Sequence, residues 1–223
     1  NGMVRRTAAQ WLAEFGPNAK TALTGLLDSL KSNDAQLQSE SALAIGKIGG
    51  TAGSARQALV MLIAKSHDYA SRASAAFALI EIGHAQDGFQ ELMQQLTNQD
   101  EHVRESALSR LLELDTFSTE YTKQFGAYIR GETKVENIVL ALKIAEKLNV
   151  KDKRLISYFW ELVKSPIVTE PVKIAAVQAL AVLDDHSERL FYVLKNQITT
   201  QKKYSNIRIM KTYKKIQDYF DLK

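Results

Sequence analysis

The sequence predicts an all-α fold: a right-handed superhelical α-solenoid of about six to seven stacked helix pairs, one repeat domain over residues 1–223. Three observations lead there. A helical motif recurs at intervals of 32–35 residues, starting at 4, 37, 71, 103, 137, 172 and 207. A residue type that can end a helix follows each of the first six copies at a fixed distance. Between the copies lies a second, shorter apolar pattern with the same helical period.

The motif is clearest in Val4–Gly16, Leu37–Gly49 and Ser71–Gly83. In each, small residues stand at offsets +4 and +5 (Ala8/Ala9, Ser41/Ala42, Ala75/Ala76) and large apolar residues at +8 and +11 (Leu12/Phe15, Ile45/Ile48, Leu79/Ile82). Offsets 0, 4, 8 and 11 share one side of a helix, so each copy is an amphipathic helix, and the small residues allow close approach of a neighbour. At offset +12 stand Gly16, Gly49, Gly83, Asp115, Asn149 and Asp184, types that tolerate the left-handed conformation just past a helix end. The copies at Val103 (Ala107, Leu111, Leu114), Asn137 (Ala141, Ala145, Leu148) and Val172 (Ala176, Leu180, Leu183) keep the frame with fewer identities, and a last one begins near Ile207.

The intervening patterns are, in order, Leu23-Leu26-Leu27-Leu30, Leu59-Leu62-Ile63, Phe89-Leu92-Met93-Leu96, Tyr121-Phe125-Ile129, Leu155-Tyr158-Phe159-Leu162 and Leu190-Val193-Leu194-Ile198. Each is expected to form a helix of about 12–14 residues. Neither helix of a pair can bury its stripe alone, so stacked pairs share one continuous core.

The signature helices resemble the HEAT repeat, in particular the short phycobilisome-lyase-type variety. Val4-Arg5, Ala8-Ala9 and Leu12, the 71–83 copy with Arg72, and Val103-Arg104 carry the resemblance, which is sharp in 1–115 and diverged in 116–223. It implies that an Asp ahead of the helix pairs with that Arg to build a ladder; Asp34, Asp68 and Asp100 stand three residues before their start points, whereas Lys134, Thr169 and Tyr204 occupy the later equivalents. It implies binding rather than bilin chemistry, since fold alone supplies no activity. The chain reads as a fragment of a longer protein that lacks the first helix of its first pair. The Val4–Phe15 helix is then expected to expose an apolar face, covered by upstream sequence or by self-association.

Composition agrees with this reading. The chain is 45% hydrophobic and 24% charged, with only 3 prolines and 8% aromatic residues, which suits helices and not a turn-rich sandwich. With no cysteine there are no disulfides, thiolate metal sites or thiol nucleophiles, which fits a cytoplasmic, reducing setting. No apolar run reaches the roughly 18–20 residues of a membrane span. Residues 186–223 hold nine Lys/Arg against three acids, and residues 1–185 twenty against twenty-two, so the net charge of +4 comes wholly from the C-terminal end.

In the resembled family the signature helices line the concave face. Offsets 3, 6 and 10 are then expected to be exposed there, which nominates Leu43 and Phe77 as an apolar contact patch, with Glu81, Glu113, Lys143 and Lys147 as flanking charges. A protein partner is the leading expectation: a non-catalytic scaffold with no cofactor and no small-molecule substrate. The alternative is a nucleic-acid-binding solenoid using Lys202, Lys203, Arg208, Lys211, Lys214 and Lys215, of which Arg208, Lys211 and Lys215 share one side of a helix; a terminal capping helix would use the same residues. A third reading follows HEAT-like alkylpurine DNA glycosylases, whose groove holds an acid and aromatics. Phe77 with Glu81 and Glu113, or Trp11 with Glu14, imitates that grouping without a diagnostic motif. His67, His84, His102 and His186 all fall in or beside turns, without the convergent spacing of a zinc site.

Overall fold

The computed structural model describes residues 2–184, and every element among them is helical. In order these are α1 (Gly2–Phe15), α2 (Leu23–Ser29), α3 (Ala35–Ile48), α4 (Arg56–Lys65), α5 (Tyr69–Glu81), α6 (Ala85–Leu96), α7 (Glu101–Glu113), α8 (Thr122–Gly131), α9 (Val135–Lys147), α10 (Lys153–Lys164) and α11 (Glu170–Leu183). The odd-numbered helices are the signature helices of the repeat, and the architecture is an α-solenoid. The seventh copy and the Leu190–Ile198 pattern lie outside the described residues. Two compact units divide between Tyr128 and Ile129, within α8.

In the first unit the starts and stops follow the sequence frame. Asp34, Asp68 and Asp100 each take an extended conformation and accept a hydrogen bond from a backbone N–H two or three residues on, at Leu37 (3.1 Å), Ser71 (2.7 Å) and His102 (2.9 Å). At the other end Gly16, Gly49 and Gly83 have φ of 53°, 73° and 95°. After α5 the His84 N–H reaches the Leu79 carbonyl at 2.7 Å and the Gly83 N–H reaches Ile80 at 3.1 Å, the paired closure that a left-handed residue makes possible.

The second helices depart from expectation. α2 and α4 have 7 and 10 residues, because seven-residue 3₁₀ segments, Gly16–Ala22 and Gly49–Ala55, replace their first turns. Pro17 and the Gly49-Gly50-Thr51-Ala52-Gly53-Ser54 run are poor α-helix material, and the tighter turn spans the gap with fewer favourable contacts to lose.

α3 packs on α1 and α5, and α5 packs on α6 and α7. The signature helices come close because the touching residues are small. A Cβ on Gly46 of α3 would lie 2.8 Å from the Phe77 ring of α5, and the contact of α5 with α6 is as close, where a Cβ on Gly88 would lie 2.3 Å from the Ala76 carbonyl oxygen. Leu37, Ile45, Ile48, Leu59, Leu79 and Leu92 fill the core between the two rows. Beyond α7, Phe89 meets Phe117 edge-on (5.2 Å) and stacks on Tyr121 (5.4 Å), pinning the irregular stretch before α8 to α6.

In the second unit α11 packs on α9 and α10 around Ala141, Leu142, Ala145, Leu155, Phe159, Ala176 and Leu180, all buried. The caps change. Lys134 stands where the aspartate stood, and Glu132, two residues earlier, accepts from the N–H groups of Thr133 (2.8 Å) and Lys134 (2.9 Å) and from the Asn137 amide (3.2 Å). Asn149 keeps the left-handed closure, with φ 51° and the Val150 N–H on the Ala145 carbonyl at 2.9 Å. Asp184 does not: its φ is −96° and the chain leaves α11 extended, and Asp115 is likewise not left-handed, α7 having ended in extended Leu114.

Candidate interaction surface

In the first unit polar side chains of different signature helices are in direct contact. Gln10 on α1 donates to Glu40 on α3 (3.0 Å), and Ser39 on α3 shares a 2.8 Å bond with Ser74 on α5. Lys47 on α3 reaches past α5 to Glu113 on α7 at 3.1 Å. Side chains two helices apart can meet only if the row curves toward them, so offsets 3, 6 and 10 lie on the inner side of this unit's row.

That curvature overturns one expectation. Phe77 is fully buried, not an exposed contact: its ring lies against Gly46, and the Lys47 ammonium sits 4.9 Å above it, held there by Glu113. Ser74 is buried for the same reason, and Leu43 is half-buried. An exposed Leu43–Phe77 patch therefore does not form. Phe77 is also unable to stack on an extruded base, which removes the aromatic from its grouping with Glu81 and Glu113. Glu113 carries an ion pair with Arg110 as well as with Lys47, and Glu81 is half-buried. The inner strip is more open on α7, where Ser109 is exposed. In the second unit Lys143 and Lys147 are exposed one turn apart on α9, and Gln178 and Val182 are exposed on α11. Beside Lys143, partial burial pushes the Glu146 carboxyl above its ordinary range, against the opposing pull of the lysine. Lys202, Lys203, Arg208, Lys211, Lys214 and Lys215, and His186, lie outside the described residues.

The expected arginine–aspartate ladder does not form: Asp68 and Asp100 cap their helices, and of the three aspartates only Asp34 pairs with an arginine. Asp34 pairs with Arg6 (2.8 Å) instead of Arg5, and that hydrogen bond holds its carboxyl below the usual range, helped by the Leu37 N–H. Arg72 bonds Glu91 on α6 at 2.8 Å and stacks over Tyr69. Arg104 donates to the Asn98 and Gln99 carbonyls. Glu91 is buried and also accepts from Gln95 (2.8 Å). Above this network a groove of about 410 Å³ opens between α4 and α6, lined by Val60 and Ile63 and edged by the Arg56–Asp87 ion pair (2.8 Å). Sequence reasoning missed Glu91; the signal was an acid next to the apolar pattern Phe89-Leu92-Met93-Leu96. Among the described residues no three His, Cys, Asp or Glu side chains are placed to hold a metal ion, and no helix is long and apolar enough to cross a membrane.

Residues 1–80 match the family model for HEAT repeats. The matched stretch holds α1, α3 and most of α5, and it supports a HEAT-like repeat family. No curated protein matches the sequence. Among solved structures, an engineered protein from a structural-genomics consortium superposes with a TM-score of 0.52 at 19% identity, covering 82% of this chain and 93% of its own. A designed armadillo repeat protein superposes with a TM-score of 0.51 at 16% identity, covering 80% and 93%. At such identities these likenesses speak to the helical-repeat fold alone.

Proposed function

We propose that the chain is a non-catalytic scaffold that binds a protein partner along the inner side of its signature helices. Both units use one repeat frame, and the short phycobilisome-lyase-type HEAT variety describes it best, on Val4-Arg5, Ala8-Ala9 and the 71–83 copy. One observation supports the reading above others: Gln10–Glu40 and Ser39–Ser74 join successive signature helices and Lys47–Glu113 joins α3 to α7, which makes one strip of polar side chains. Its exposed and half-buried members, Gln10, Glu40, Lys47 and Glu113, offer hydrogen-bonding groups to another chain, while Ser74 lies buried beneath them. Leu43, Glu81 and Glu113 in the first unit, and Lys143 and Lys147 in the second, are the contact residues. Phe77 acts beneath the surface, supporting Lys47. A cysteine-free chain of this kind suits the cytoplasm.

The competing partner is nucleic acid, held by the lysines of residues 202–215. Fluorescence anisotropy with labelled duplex and single-stranded DNA and RNA, titrated in salt, separates the two. A protein-binding scaffold gives no saturable binding at about 150 mM salt. Binding that weakens steeply with salt, and disappears when Lys211, Lys214 and Lys215 become Glu, would transfer the function to nucleic acid.

A further inference from the structure

The second unit carries a concentration of positive charge that its own fold does not use. Residues 143–154 contain Lys143, Lys147, Lys151, Lys153 and Arg154, five cations in twelve residues, where no stretch of that length in residues 1–128 holds more than two. All five are exposed. Lys147 ends α9 and Lys153 begins α10, so four of them gather at one end of that helix pair. Lys143 lies one turn back, about 6 Å along α9.

The two acids within the stretch, Glu146 and Asp152, leave it with a net charge of +3. Asp152 accepts from the Leu155 N–H (3.0 Å) and so caps α10, and Glu146 is half-buried beside Lys143, where burial holds its carboxyl above the ordinary range. Every arginine of the first unit is held by a side chain or carbonyl of its own unit. Lys143, Lys153 and Arg154 make no side-chain hydrogen bond or ion pair among the described residues. Helix physics disfavours two of them at their place. Lys153 and Arg154 occupy the first turn of α10, where the macrodipole favours acids; α6, α7, α9 and α11 have Asp87, Glu101, Glu136 and Glu170 there. Cations kept where they work against the helix serve something outside the fold.

The surroundings say which anion fits. The patch is compact, one helix pair wide, whereas a nucleic-acid backbone is held by a longer stripe of cations. Among the described residues of the second unit the exposed large apolar side chains are Ile167 and Val182, so no aromatic offers a base a stacking surface. Val182 holds on α11 the offset that Lys147 holds on α9, and the two helices pack together. An aliphatic group beside clustered cations is complementary to a segment that mixes carboxylates with aliphatic residues.

We propose, resting on the scaffold reading, that the second unit binds an acidic, aliphatic-containing segment of the protein partner. Lys143, Lys147, Lys153 and Arg154 hold its carboxylates, and Val182 meets an apolar side chain.

Fluorescence anisotropy on the 223-residue chain tests this with a labelled peptide of repeated Glu-Glu-Val, a Gln-Gln-Val counterpart and a single-stranded DNA of similar length. At about 50 mM salt the acidic peptide should bind saturably at about 10–100 µM, and the amide counterpart should not bind. Lys143→Gln/Lys147→Gln and Lys153→Gln/Arg154→Gln should each weaken that binding about fivefold, and all four changes together should abolish it. Changing Lys211, Lys214 and Lys215 to Gln should leave it unaltered. The Lys153→Gln/Arg154→Gln chain should keep or raise its melting temperature. A lower one means that these cations serve the fold, and it overturns the proposal. So does acidic-peptide binding that survives all four changes, or that is lost only with the 211–215 lysines. If no probe binds, the proposal falls while the scaffold reading stands on the strip of the first unit. DNA that binds more tightly than the acidic peptide, and is released by the same four changes, overturns both.

Discussion

The two units apply one repeat frame with different residues, and the contrast shows what the frame requires. In the first unit the contacts between signature helices are made by glycine, alanine and serine: Gly46 under Phe77, Ser39 against Ser74. In the second, α9 places Ile144 at the offset where α3 and α5 have Ala44 and Ala78, while α11 returns to alanine with Ala179. Ahead of α9, Glu132 with Asn137 replaces the aspartate that starts α3, α5 and α7, and at the end of α11 a Trp160 indole N–H on Asp184 (2.7 Å) stands where a left-handed turn would otherwise close the helix. What persists from α3 to α11 is the burial of offsets 4 and 8. The chemistry that achieves it is interchangeable.

The largest effects are expected from cutting an equivalent leucine in each unit. Leu79→Ala and Leu180→Ala both remove a fully buried side chain and should each cost about 2–5 kcal/mol in urea unfolding. Because repeat stability is largely local, amide exchange should show the loss concentrated in the unit that carries the change. Next in size is Gly88→Ala. Its new methyl would meet the Ala76 carbonyl oxygen, which cannot move without displacing α5, so a loss of about 1–3 kcal/mol is expected by chemical denaturation. Glu132→Ala should follow at about 1–2 kcal/mol, read as a lower melting temperature, since it strips three donors of their acceptor.

The smallest effect concerns pH. Asp34 titrates below its ordinary value of 3.8, first through the Arg6 hydrogen bond, so the carboxylate stabilises the folded chain at pH above that value. The contribution is lost as pH falls through the depressed value of the folded state. Amide exchange across the α1–α3 junction should therefore quicken in acid, and Asp34→Asn should remove that pH dependence while leaving the Leu37 N–H an oxygen acceptor.

Helix order and the ends of the signature helices were legible because they rest on local rules, the apolar period and Gly or Asn at the end, whereas the aspartates proved to be helix caps and not ladder partners. The misses were of two kinds. Local substitutes went unseen, such as Glu132 acting two residues ahead of the expected position, or the 3₁₀ segments that Pro17 and Gly49-Gly50 impose. Non-local consequences were also missed. Phe77 occupies an offset that a straight stack would expose, and it is buried because Gly46 lets α5 approach and because curvature brings Lys47 to Glu113. Periodicity carries no information about curvature, so candidate contacts read from offsets alone were least secure where the helices are most tightly packed. Ser109 and Lys143, on helices with larger residues between them, do lie at the surface as the offsets indicated.

The most direct test of the scaffold reading is site-specific photo-crosslinking in cells, with the reactive side chain placed at Leu43, Ser109 or Lys143 on the signature helices, or at Val60 or Met61 on α4. Binding along the inner strip gives the same discrete protein adduct from the signature-helix positions, none from α4, and loss of the adduct when the neighbouring position on the strip is changed to a bulky charge. An adduct formed equally from Val60 and Met61, or from those positions alone, would contradict it and move the binding surface to the groove between α4 and α6.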